Sequence, residues 1–217
     1  PLNEVAFAAY AQIQDDLAAV GAGFLKSVRL IMALAMPFCL GLAAVAEPAV
    51  RVMLGDKWLP AAPVVSLLAL AMPFMTLHVL FGPAANALGR PGLATRSAVV
   101  GSVLMPVCYL VGVQFGPLGI AAAWLVAWPV LTALSAVWTL PVIGLTSRAL
   151  GQALLPPVLA GVAMGLGVVA LDHLLPPLPE AARLVALVVA GGAFYALWLV
   201  RFARGLLDEL LAAVLKR

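Results

Sequence analysis

Charge is scarce in this sequence. Only 10% of its 217 residues are Asp, Glu, Lys or Arg, against about 25% in water-soluble domains. That shortage excludes an ordinary soluble globule. Cysteine is limited to Cys39 and Cys108, both inside apolar runs, so they read as small buried hydrophobes and carry no disulfide framework. There is no HExxH, no Cys/His metal spacing, no G-x-S-x-G and no Walker loop. The acids are Glu4, Asp15, Asp16, Glu47, Asp56, Asp172, Glu180, Asp208 and Glu209. Past the amino-terminal segment, each lies at the end of an apolar run or in a loop. The expectation is a protein that is not an enzyme, with no catalytic residues, no metal, no cofactor and no nucleic-acid partner.

Apolar residues are plentiful instead. The sequence is 65% hydrophobic, with a mean hydropathy of +1.15, and reads as an integral membrane protein. The stretch "ALAMPF" occurs at 33–38 and again at 69–74, each time inside a long apolar run. Proline inside a helix removes a hydrogen bond and costs about 3 kcal/mol in water. In lipid, neighbouring helices and hydroxyls can take up the freed carbonyl. Pro37 and Pro73 are therefore expected inside spans, not at their ends, as are Pro106 and Pro129.

A spanning helix needs about 20 mainly apolar residues. Six stretches qualify, near 29–47, 62–86, 96–114, 118–141, 153–172 and 183–201, with "QFGPLG" at 114–119 as the turn between the third and fourth. With six spans, one set of loops holds Lys26, Arg29, Arg90, Arg96, Arg148, Arg201, Arg204, Lys216 and Arg217. The other holds only Arg51, Lys57 and Arg183. This bias places both ends of the chain in the cytoplasm. The fold class is thus all-α, a polytopic transmembrane helix bundle of about six spans. The expected divisions are 1–28, 29–145 (four spans), 146–203 (two spans) and 204–217. Two flanking segments read as amphipathic helices on the membrane surface or packed against the bundle. One carries Tyr10, Ile13, Leu17, Val20 and Phe24 on one face. The other carries Leu206, Leu207, Leu210, Leu211, Val214 and Leu215.

An ionisable group deep in a bilayer marks a functional site by default. His78 meets that description, as a packing residue or as part of a proton or substrate path. Asn86 and Gln114 are polar candidates near span ends. Trp124 and Trp128 share a helix face and suit helix packing or a stacking surface for a sugar or headgroup. Gly161 and Gly165 form a GxxxG pair suited to close helix approach.

The order "VAFAAYAQIQDD", "AEPAVRVMLGDKWLPAAPV", "ANALGRPGLATR" and "FGPLGIAAAW" resembles the polysaccharide-export branch of the multidrug/oligosaccharidyl-lipid/polysaccharide flippase superfamily. The resemblance covers about residues 1–140. It implies a flippase for a lipid-linked oligosaccharide in the bacterial inner membrane, acting in surface or lipopolysaccharide synthesis. It implies two lobes with a cavity between them, of which this chain supplies the carboxy-terminal portion. The expected partners are the glycolipid, membrane lipid and a missing amino-terminal lobe, without which the chain is not expected to transport. Arg29, Arg90 and Arg96 would then attract a pyrophosphate at the cytoplasmic mouth. A cation-coupled multidrug exporter of the same superfamily and a membrane glycosyltransferase or polymerase are the competing expectations. The first would require a carboxylate inside the spans, the second acids or a base in a large outer loop.

Overall fold

The computed structural model describes residues 16–215. Tyr10 and Ile13 lie outside the described residues, as do the side chains of Leu210, Leu211, Val214 and Leu215. The described residues are almost entirely helical, with no strand among them. In order come α1 (Leu17–Ala44), α2 (Ala46–Leu54), a 3-10 turn (Asp56–Ala61), α3 (Ala62–Ala87) and α4 (Pro91–Gly112). A second 3-10 turn (Val113–Phe115), α5 (Gly116–Thr139), α6 (Ser147–Leu174), α7 (Glu180–Phe202) and α8 (Arg204–Leu215) follow. Six of these are long and apolar, with α4 and α5 forming one 49-residue apolar stretch that is folded at the second 3-10 turn. This is a multi-pass membrane protein.

The start of α1 differs from the sequence expectation. Asp16 caps it, its carboxylate accepting the amides of Ala18 and Ala19 at 3.0 and 3.1 Å, which satisfies two of the free N–H groups of the first turn. From there the helix continues unbroken past Lys26 and Arg29. The boundary expected between residues 28 and 29 falls inside it. Val20, Phe24, Val28, Met32 and Met36 are all buried, so the amphipathic face of the flanking segment is the same face that the span buries. Long basic side chains bury their stems while their heads reach water, and two of them do not end a helix. At the other end, Leu206 is buried and Leu207 packs beside it against the apolar core. Of the two placements open to the flanking segments, the described residues show packing against protein.

The expected prolines fare as the sequence suggests. Pro37, Pro73, Pro106 and Pro129 all lie inside continuous helices.

The chain divides into two compact units. One comprises the residues up to Ile31 with Ala71–Leu155, the other Met32–Leu70 with Pro156 onward.

In the first unit, α4 and α5 form an antiparallel hairpin. Its register is fixed by contacts whose residue numbers keep a nearly constant sum: Gly112 against Gly119, Gly101 against Leu131, and Ser97 against Ser135. Gly116 makes the turn possible with φ 70, in the left-handed region that favours glycine. Pro117 follows where a helix start lacks a partner for its amide. At the closed end the two backbones touch. A methyl group on Gly112 would fall 2.5 Å from the carbonyl oxygen of Gly119.

In the second unit, α6 and α7 pack Ala160, Met164 and Val168 against Leu187, Tyr195 and Leu199. The GxxxG pair serves as expected. A Cβ on Gly161 would lie 2.9 Å from the Cβ of Met36 on α1, and one on Gly165 3.6 Å from the Cβ of Leu40. Proline 37 cannot donate to the carbonyl four residues before it, that of Ala33. The buried Tyr195 hydroxyl on α7 donates to that carbonyl at 2.7 Å. A side chain 162 positions away thus replaces the hydrogen bond that the proline removes. Ser66 on α3 similarly donates to the carbonyl of Ala43, in the last turn of α1, at 3.0 Å.

Candidate functional site

Within the first unit, α3, α4 and α5 enclose a cavity of about 420 Å³. Its walls carry five neutral polar side chains, His78, Asn86, Ser97, Ser135 and Thr139, set among Phe81, Gly82, Ala85, Leu93 and Ala98. These positions follow from the helix pattern. Residues 78, 82, 85 and 86 recur at three and four along α3, as do 94, 97 and 98 along α4 and 135 and 139 along α5, so each helix turns one polar-tipped face inward. Gly82, Ala85, Ala94 and Ala98 supply little bulk, and the space between the helices stays open.

The polar groups are connected. Ser97 Oγ and Ser135 Oγ are 2.8 Å apart, and Ser135 Oγ lies 3.4 Å from His78 Nδ1. The His78 and Trp128 rings meet in a T-shaped contact at 5.4 Å between centroids, and Trp124 lies beyond Trp128 at 6.1 Å, its ring tilted by 57°. One turn along α5, buried Thr132 donates to the carbonyl of Phe74 at 2.9 Å and ties α5 to α3. The pair of tryptophans read from their four-residue spacing is therefore the aromatic backing of the histidine, on the same helix as two of the hydroxyls.

The remaining candidates are more dispersed. Asn86 lines the cavity and is exposed. Arg90 stands in the α3–α4 turn, its amide donating to the carbonyl of Ala85 at 3.0 Å, next to the cavity-lining segments of both helices. Arg96 lays its guanidinium over Trp138, 4.2 Å from the ring centroid, a cation–π arrangement that leaves the in-plane N–H groups available. Arg29 is half-buried on α1 and does not line the cavity. Gln114 sits past the far end of α4, exposed, and its amide donates to the carbonyl of Leu110 at 3.4 Å. Ser97, Ser135 and Thr139 escaped notice in the sequence, where small hydroxyl residues in an apolar run carry no signal until their helices are registered.

A second polar cluster, in the other unit, was also invisible to sequence. Arg51 on α2 pairs with Glu180 at 2.6 Å, Asp56 at 3.2 Å and Glu47 at 3.3 Å. Arg183 makes a two-pronged contact with Asp172 at 2.6 and 2.8 Å and approaches Glu180 at 3.8 Å. The hydrogen bond to Glu180 holds the Arg51 guanidinium above its ordinary pKa. The two arginines of the sparsely basic loops are thus matched by four carboxylates, leaving Lys57 outside these pairs.

The chain is similar to known proteins. Residues 1–63 match the model of a family described as polysaccharide biosynthesis protein. The teichuronic acid biosynthesis protein TuaB of Bacillus subtilis (strain 168) is 29% identical over 209 residues, 92% of this chain and 42% of that protein. The succinoglycan biosynthesis transport protein ExoT of Rhizobium meliloti (strain 1021) is 28% identical over 210 residues, 95% of this chain and 42% of its own length. Among solved structures, lipid II flippase MurJ in an inward closed conformation matches 95% of this chain with a TM-score of 0.76 at 15% identity, over 43% of the MurJ chain. That likeness establishes a shared fold. This chain spans about two fifths of the length of the relatives it matches. Together the sequence matches are to proteins of polysaccharide biosynthesis and transport, the direction in which the motif order pointed.

Proposed function

We propose that this chain supplies part of a flippase that moves a lipid-linked oligosaccharide across the bacterial inner membrane during polysaccharide synthesis, with transport and no covalent chemistry as its task. The carrying observation is the cavity among α3, α4 and α5, a neutral, hydroxyl-lined space inside otherwise apolar helices. Sugars are rich in hydroxyls and uncharged, so Asn86, Ser97 and Thr139 match them as donors and acceptors. Arg90 and Arg96 suit the pyrophosphate that would join sugar to lipid. The relatives named for polysaccharide biosynthesis and transport support the same reading.

The reading requires the loop bearing Arg90 to face the cytoplasm, with both ends of the segment on that side. Single cysteines placed at Asp56 and at Pro91 in a full-length protein test it: only the first is expected to react with an impermeant external reagent. Equal labelling would overturn the orientation. Function is tested in a strain lacking its own flippase. The full-length protein is expected to restore surface polysaccharide, and Asn86→Leu, which fills the cavity mouth with apolar bulk, is expected to lower it at least tenfold at equal protein level. Full export by Asn86→Leu would remove the cavity from the path. Residues 1–217 expressed alone are expected to restore none, because the matched relatives use more than twice this length.

A further inference from the structure

We propose that His78 is a reversible proton-binding site, loaded from the cavity through the hydroxyls of Ser97 and Ser135. The inference rests on how these hydroxyls are used. A serine or threonine in an apolar helix ordinarily turns back to a carbonyl three or four residues earlier. Ser27, Thr76, Thr95 and Ser102 do so, at 3.0, 2.9, 3.4 and 2.8 Å. Ser97 and Ser135 do not back-bond in this way. They face each other across the hairpin at 2.8 Å, and Ser135 continues to His78 Nδ1 at 3.4 Å. Three helices each contribute one member of a continuous chain, and all three members line the cavity.

Each hydroxyl both donates and accepts, and imidazole is the side chain whose charge changes near neutral pH. With the ring proton on Nε2, Ser97 donates to Ser135 and Ser135 donates to Nδ1. A proton from a water in the cavity passes to Ser97 Oγ. Ser97 hands its original proton to Ser135, and Ser135 hands its own to His78 Nδ1. One proton has moved, both hydroxyls are intact, and every bond in the chain now points the other way. The 3.4 Å separation is long for a neutral pair. As a charge-assisted bond from imidazolium to Ser135 it would contract toward about 2.8 Å.

The surroundings shape this site. α5 carries no ionisable side chain, and α3 carries none besides His78. Packed around them, α4 carries Arg96, Cys108 and Tyr109, and the α3–α4 turn carries Arg90. α1 carries Lys26 and Arg29, with Asp16 as its cap, and Arg148 stands at the start of α6. No carboxylate on these elements other than that terminal cap stands ready to pair with an imidazolium. The nearby acceptors for a charged ring are Ser135 Oγ and the backbone carbonyl of Leu131. The proposal does not depend on what the cavity carries.

Trp128 also provides the readout, because an imidazolium in ring contact quenches indole fluorescence. The experiment titrates tryptophan emission of the full-length protein in lipid nanodiscs. The expected result is a reversible quenching step on acidification, absent from both His78→Gln and Trp128→Phe and retained in His173→Gln. Ser135→Ala, which leaves both rings in place, is expected to move the midpoint down by about one unit, since the charged ring loses its acceptor. A wild-type protein with no such step, a step that survives His78→Gln, or a midpoint unmoved in Ser135→Ala would each overturn the proposal. None of these measurements involves a transported molecule. A failed titration leaves the flippase reading standing, and failed polysaccharide export with an intact titration does the reverse.

Discussion

In the first unit the polar side chains that line the cavity are neutral hydroxyls, an amide and an imidazole, on helices that carry no Asp or Glu between Ala71 and Leu155. In the second unit the packed interior is apolar apart from one phenol, and the strong polarity gathers in an Arg51–Glu180 and Arg183–Asp172 cluster where helices begin and end. The difference follows from desolvation. A hydroxyl or neutral imidazole within a membrane costs little once it has one hydrogen bond, whereas a buried ion needs several partners before the cost of leaving water is offset. Neutral groups can therefore line a space that opens and closes. The ions of the second unit's cluster are kept where helices begin and end, with partners and water both at hand.

Substitutions that exploit the contrast should separate the units. The largest effect is expected for Gly119→Ala in the first unit. Its methyl group would run into the carbonyl of Gly112, and backbone cannot step aside, so a loss of about 3 kcal/mol or more is expected, read as a collapse of thermal stability in detergent. Tyr195→Phe is the corresponding test of the second unit. It leaves the Ala33 carbonyl buried without its donor, at about 1–3 kcal/mol. A melting temperature equal to wild type would show that the freed carbonyl finds another partner. Arg51→Gln is expected to cost less than Tyr195→Phe, since its ion pairs are partly exposed, and the loss should shrink as salt is raised. The smallest effect belongs to Gly165→Ala, where the added methyl meets Leu40 at ordinary contact distance, within about 0.5 kcal/mol of wild type. A large effect there would mean that the GxxxG contact is as tight at Gly165 as at Gly161.

Much of the fold was legible because it depends on local chemistry. "FGPLG" announces the turn at Gly116 through a glycine that accepts positive φ and a proline that starts the next helix. The apolar runs give α3 to α7 within a few residues. The start of α1 is less legible, because Lys26 and Arg29 read as the border of a span although the buried stripe from Val20 to Met36 ignores them. In the site, His78 stood out as an ionisable ring in an apolar run, and Trp124 and Trp128 by their spacing. The partners of His78 did not, because Ser97 and Ser135 acquire meaning only when the hairpin register sets them opposite each other. The same holds for the ion cluster, whose members Arg51 and Glu180 lie 129 positions apart, and for Tyr195 beside Ala33.

The Tyr195 bond has a mechanical side. A proline alone would make α1 a free hinge, with a carbonyl that is exposed or strained depending on the angle. Because the compensating donor sits on α7, the angle of α1 at Pro37 and the position of α7 become a single coordinate. Bending one helix stretches the bond unless the other follows. The phenol acts as a connecting rod between two levers, and a motion begun in either helix is delivered to its neighbour through one oxygen atom.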